Sequence, residues 1–349
     1  MKALSRSSSH ANLRRVSLPN QLFSTQRLLS IFVASVALVA ESIAATRPAS
    51  PQFEALPLQR AQQNHLLVRA FINNRPASLI VDTGSPHTVI APGRRDYFHL
   101  ALVNDGLNAP ARVQANGVFT RLALAHSLRL GGLNIVDVPA ILVDLAESRH
   151  GAASDRRGEP DGILGADVLS ATKAILDCQQ QVLILNMFPD TPGRAPDSDF
   201  RDFQRVPMEQ IGGRLYVDVT VNGTVARLLV DTGAFATLLH RSFVQQLQIP
   251  VQQTRIRAAA INVKEKRVQV AQIRKLSLGP LNLVGPLVGV VDLEHIIHRE
   301  LLEGQPPVAG LLGAEFLSRL HAVVDFGSRT LYLKNERARR DGSRIRPRP

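Results

Sequence analysis

Tryptophan is absent from this sequence, and only three tyrosines and one cysteine occur among its 349 residues. Without aromatic platforms, a surface that stacks on successive bases of single-stranded nucleic acid is not expected. A lone cysteine excludes an intrachain disulfide and a cysteine-rich metal site. Cys178 ends the run Ala174-Ile175-Leu176-Asp177, where it reads as a small buried hydrophobe rather than a reactive thiol. The sequence has no Gly-x-Ser-x-Gly elbow, no Walker loop and no dinucleotide fingerprint. Glu294-His295-Ile296-Ile297-His298 lacks the i, i+4 histidine pair of a zinc-peptidase helix. Neither a metal nor a cofactor is expected.

Acidic residues are outnumbered, and the formal charge is +12, but the excess sits on the ends. Residues 1–45 carry five basic side chains against Glu41, and residues 334–349 carry seven against Glu336 and Asp341. The body keeps a net +3, too little for a groove that grips nucleic acid, so nucleic acid is not expected as a partner.

Long apolar runs are also missing. The longest near the N-terminus, Leu28 to Ala40, follows a basic region and precedes Ser42-Ile43-Ala44, a small-x-small cleavage pattern. Its thirteen residues fall short of the ~20 that span a bilayer. Residues 1–45 are therefore expected to be a signal peptide, with a membrane anchor as the alternative. Export without a disulfide points to a bacterial periplasm or envelope.

What the sequence does contain is a duplication. Ser78-Leu79-Ile80-Val81-Asp82-Thr83-Gly84 answers Arg227-Leu228-Leu229-Val230-Asp231-Thr232-Gly233, an offset of 149. Downstream the offset becomes 148: Gly162-Ile163-Leu164-Gly165-Ala166 answers Gly310-Leu311-Leu312-Gly313-Ala314, and Ala174 to Leu185 answers Ala322 to Leu333 as two hairpins. Asp144 and Asp292 recur as well, after strand-like runs, where they read as caps or turns. Leu66-Val68-Ala70-Ile72 alternates before a turn at Asn73 to Pro76, and Leu215-Val217-Val219-Val221 alternates before Asn222-Gly223, a strong hairpin signal. Strands with turn signals every eight to twelve residues make the chain all-β. The clearest helical pieces are short, from Ala166 to Ser170 and from Ala314 to Arg319.

A repeated strand-to-turn corner would account for one Asp-Thr-Gly. It does not account for the same carboxylate ending a buried-type strand twice. Two carboxylates brought within ~3 Å cannot both ionise, so they share one proton and can serve as base and acid together. Gly84 and Gly233 allow the tight turn and offer N–H donors, while the Thr83 and Thr232 hydroxyls could lock the two loops across an interface.

These residues resemble the aspartic peptidases, in particular the retropepsin-like group, over about 66–185 and 215–333. The resemblance implies two homologous lobes related by a pseudo-two-fold axis, with one active site in the cleft between them. It implies Asp82 and Asp231 as the catalytic pair and Thr83 and Thr232 as interlocking hydroxyls. It makes Gly162 to Gly165 and Gly310 to Gly313 the backing loops. The flap hairpins would be about 112–126 and 255–273. Neither contains the tyrosine of pepsin flaps. The first turns at Ala115-Asn116-Gly117, and the second has a charged tip from Asn262 to Arg267. The loops also differ, Ser85-Pro86 against Ala234-Phe235. The Ser85 hydroxyl could favour ionised Asp82 while Ala234 offers Asp231 nothing, which would leave the charge on Asp82 and the proton on Asp231.

The expected organisation is a leader over 1–45, an N-terminal lobe over 55–188, a Pro- and Gly-rich linker over 189–203, a C-terminal lobe over 204–334 and a basic disordered tail over 335–349. The expected function is that of an exported aspartic endopeptidase acting on an extended protein or peptide substrate. The alternative is a non-catalytic peptide-binding protein that keeps the fold. A monomer is expected, and pairing of equivalent lobes between chains is the alternative.

Overall fold

The computed structural model describes residues 14–17, 52–61, 64–104, 111–115, 118–145, 159–190, 200–260, 263–293 and 306–334. The expected tail, the 294–298 histidine stretch, the two hairpin tips 116–117 and 261–262, and most of the linker lie outside these residues. So does the leader, except that Arg14–Ser17 pairs in parallel with residues 133–136. Among the described residues no helix is long and apolar enough to cross a membrane.

Each copy opens with a hairpin whose inward residues alternate. Leu66–Ile72 buries Leu66, Val68, Ala70 and Ile72 and pairs with Arg75–Val81. The turn is tighter than the sequence suggested: only Asn73 and Asn74 lie outside the strands, both with positive φ, and Pro76 already belongs to the second strand. The second copy repeats this with Arg214–Val221 and Thr224–Val230 around Asn222 and Gly223, again both at positive φ. Asparagine and glycine tolerate this left-handed backbone, and its twist matches that of the flanking strands.

The strand that delivers each aspartate is then buried on both sides. Arg75–Val81 pairs in parallel with Gly162–Leu164, which pairs antiparallel with Val89–Ile90, which pairs in parallel with residues 141–142. Thr224–Val230, Val308–Leu312, Leu238–His240 and Leu287–Val291 reproduce this order. The glycines of the backing segments make these approaches possible. A Cβ at Gly162 would stand 2.2 Å from the Val89 carbonyl oxygen, and one at Gly310 would stand 2.1 Å from that of Leu238.

A shared sheet joins the copies. Its strands run Phe53–Pro57, Val182–Asn186, Ile175–Asp177, Val323–Asp325, Thr330–Leu333 and then the start of Gln204–Ile211, all antiparallel. Leu176 faces Val324 at the seam, which is where the pseudo-two-fold relation passes. The architecture is all-β in two lobes, as expected, with α-helices only of six residues at Ala166–Ala171, Arg241–Gln246 and Ala314–Arg319 among the described residues. Among the elements that the sequence did not mark are the strand Phe53–Pro57 and the helix Arg241–Gln246. Cys178 is buried beside the seam, and burial pushes its thiol up to about 12, as befits a packing residue.

Candidate active site

Asp82 and Asp231 follow the last residues of their strands, each anchored by its own amide: Asp82 N–H donates to the Leu164 carbonyl at 3.1 Å and Asp231 N–H to that of Leu312 at 3.0 Å. The chain then turns so that each loop faces the other across the pseudo-two-fold. Thr83 and Thr232 are buried and interlock. The Thr83 hydroxyl donates to the Val230 carbonyl at 2.6 Å and accepts from Thr232 N–H at 3.1 Å. The Thr232 hydroxyl donates to the Val81 carbonyl at 2.8 Å and accepts from Thr83 N–H at 3.1 Å. Four bonds between residues 147 to 151 positions apart fix the loops to one another.

The glycines complete a crossed contact. A Cβ at Gly84 would lie 2.4 Å from Asp231 Cγ, and one at Gly233 would lie 2.4 Å from Asp82 Cγ. Each aspartate thus rests on the glycine of the opposite loop, and the two carboxyls are in hydrogen-bonding contact. Burial, with the Asp82 charge second, holds the Asp231 carboxyl well above the usual carboxylate range, against the opposing N–H bonds from Ala234 and Gly233. Asp82 is less buried. The arrangement holds one proton between two carboxyls, the condition for acid and base work by a single residue type.

The cause differs from the one read in the sequence. The Ser85 hydroxyl donates to the His87 carbonyl at 2.8 Å and not to Asp82; Asp82 accepts instead from the backbone N–H of Gly84 at 2.8 Å and of Ser85 at 3.3 Å. Nor is Ala234 without a donor, since its N–H reaches Asp231 at 2.9 Å. Depth, not a hydroxyl, separates the two carboxyls.

Gly165 and Gly313 sit behind the loops, and a Cβ at either would meet the backbone carbon of His87 at 2.4 Å or of Ala236 at 2.3 Å. Ala166 N–H donates to the Ser85 carbonyl and Ala314 N–H to that of Ala234, both at 2.8 Å. Gly162 and Gly310 lie farther out in the sheet, as described above.

Two further pairs, absent from the sequence reading, brace these loops. Asp167 accepts from Thr88 N–H at 2.8 Å and the Thr88 hydroxyl at 2.9 Å; Glu315 accepts from Thr237 N–H at 2.8 Å and its hydroxyl at 3.2 Å. Burial raises both acids above their ordinary range. The signal was present: each threonine stands six residues after its aspartate and each acid directly follows Gly-Ala of a backing segment. His65 also reaches across, its Nε2 donating to the Gly233 carbonyl at 3.0 Å, where the matched position of the other copy holds buried Arg214.

Both expected hairpins are present. Arg112–Ala115 pairs with the start of Val118–Leu130, closing with Ala115 opposite Val118, as the Asn-Gly pair suggested. In the second, Val251–Ala260 pairs with Val263–Gln272. Lys264 to Arg267 therefore belong to a strand, and the charged tip expected at 262–267 is corrected to the connection before Val263. Asp144 and Asp292 stand just past strand ends. Among the described residues no group of three or more His, Cys, Asp or Glu side chains is placed to hold a metal ion.

A family model described as aspartyl protease matches the chain twice, over residues 68–168 and 217–316. No curated protein matches. Among solved structures, the crystal structure of Basic 7S globulin from soybean is similar at 11% identity and a TM-score of 0.44, covering 81% of this chain and 95% of that chain.

Proposed function

Because the chain belongs to the aspartyl protease family, we propose that it is an exported aspartic endopeptidase whose single site is shared by Asp82 and Asp231. The observation that carries this reading is the crossed contact, in which both carboxyls and both glycines meet at one point. A peptide would lie extended between the lobes, its backbone hydrogen-bonded to strand and hairpin edges. Asp82, the more exposed carboxyl, takes a proton from a water whose oxygen attacks the scissile carbonyl carbon. Asp231, which burial keeps protonated, gives its proton to the carbonyl oxygen. Collapse of the resulting diol breaks the C–N bond: Asp82 passes the proton it took to the departing nitrogen, and a diol hydroxyl returns one to Asp231. No covalent enzyme intermediate and no cofactor enters the sequence.

The test is hydrolysis of an unfolded protein substrate between pH 4 and 7 by the purified chain freed of residues 1–45. Asp82→Asn and Asp231→Asn should each lower turnover by about a thousandfold. Activity surviving either single change sinks the shared-proton reading. A wild-type chain that binds unfolded substrate but never cleaves it makes this a peptide-binding protein. Export is tested separately, by fractionating cells that express the full chain and sequencing the N-terminus of the product.

A further inference from the structure

Away from the aspartates, at the root of the first hairpin, a cavity of about 520 Å³ opens between the hairpin strands and the shoulder after Val89–Ile90. Arg95 and Asp96 line it from the shoulder, Arg112, Phe119 and Arg121 from the hairpin, and Leu142 from the neighbouring strand. Arg112 and Arg121 are direct cross-strand partners, so their side chains leave the same face of the pair. Like charges placed opposite each other destabilise a sheet, and a third guanidinium, Arg95, faces the same space. Asp96 is the one carboxylate in the lining; it meets Arg95 at 3.4 Å with its side chain 91% exposed, so water screens most of its charge. The buried Nε of Arg95 finds no acceptor. Phe119 stands 67% exposed at the rim.

Three guanidiniums around a cavity of ligand size, with one screened carboxylate between them, call for an anion that can take several charge-assisted hydrogen bonds. We propose that this cavity binds the carboxylates of an acidic polypeptide segment, with an adjacent apolar side chain resting on Phe119. Nucleic acid fits poorly, because the body of the chain carries only +3 and lacks an extended basic track. The site is separate from the aspartate pair and does not depend on peptide hydrolysis. Its occupant would bridge shoulder and hairpin, and so hold the hairpin root in place while a cleft ligand is bound.

Fluorescence anisotropy of the full chain with fluorescein-labelled hexaglutamate tests the idea, alongside hexaserine, a six-nucleotide single-stranded DNA and phosphatidylserine vesicles. Hexaglutamate should bind, weaken as salt rises, and lose about tenfold in affinity in R112Q and again in R121Q, with R121K keeping most of it. Relief of the cross-strand repulsion should also raise the melting temperature of unliganded R112Q, whereas hexaglutamate should raise that of wild type by more than that of R112Q. Should a hairpin variant fail to fold, R95Q, which lies on the shoulder, makes the same prediction. Hexaglutamate affinity unchanged in R95Q and R112Q overturns the proposal. So does DNA or vesicle binding of equal strength with equal dependence on these arginines, which would mark a general anionic surface site.

Discussion

Gly84 lies against the carboxyl of Asp231, so close that a single methyl group there would stand 2.4 Å from its Cγ. The contact is reciprocal, Gly233 against Asp82, and it explains a requirement the tight turn does not. Each glycine is imposed by the carboxylate of the other lobe. Gly84→Ala and Gly233→Ala should therefore each cost about 1–3 kcal/mol in stability through overpacking. Each should also cost on the order of a hundredfold in turnover through displacement of the opposite aspartate. Denaturant titration beside kcat on one preparation checks this; an alanine variant with full turnover would mean that the loops stand farther apart.

Removal of one interlocking hydroxyl strands partners in both lobes. Thr83→Val leaves the Val230 carbonyl without its donor and Thr232 N–H without its acceptor, both buried. The expected loss is about 2–4 kcal/mol, with Thr83→Ser retaining most of the stability. A valine variant as stable as wild type beside a destabilised serine variant would assign the effect to the methyl group.

Stability should depend on pH through Asp231. Its folded carboxyl titrates well above the 3.8 of an ordinary aspartate, so between those values the folded state binds more protons than the unfolded one. Wild type should therefore lose stability as pH rises through that window. Asp231→Asn removes this contribution, and its melting temperature should gain on wild type from pH 3 to pH 7. A constant difference across that range contradicts the raised titration.

The Ser85 hydroxyl bonds to the His87 carbonyl rather than to the dyad. Ser85→Ala is accordingly expected to leave the acid limb of the pH–rate profile in place. A displaced limb would show that the hydroxyl reaches Asp82 during turnover.

The brace behind each loop is matched in position but not in length. Asp167→Ala takes the acceptor from the Thr88 N–H and from the donating Thr88 hydroxyl, which keeps only the bond it accepts from Gly165 N–H, for a loss of about 2–4 kcal/mol. Glu315→Asp, one methylene shorter, should lose both Thr237 contacts and about half as much stability. Thermal unfolding of the two variants decides whether the braces are separate.

The repeat made much of this legible. Alternation at Leu66 to Ile72 and Leu215 to Val221 marked the hairpins, and matched Asp-Thr-Gly and Gly-x-Leu-Gly segments marked which strand ends face one another. Phe53–Pro57 was missed because it has only its edges to recommend it: its partner, Val182–Asn186, lies some 130 residues on, and no local pattern encodes that pairing. The helix Arg241–Gln246 begins without a side-chain cap and ends in two glutamines, so periodicity had little to show. The Ser85 assignment failed for a different reason. A hydroxyl three residues from a carboxylate has several acceptors within reach, and the sequence does not rank them.

The seam at Leu176 and Val324 has one more consequence. A site assembled from two identical chains looks the same from either end, and a ligand can enter it in two senses. Here both halves are tied into one sheet but have been free to differ, so Pro86-His87 in one copy answers Phe235-Ala236 in the other, with Phe235 60% exposed. Two unlike ends would give a polypeptide, on the proposed function, one sense in which to lie.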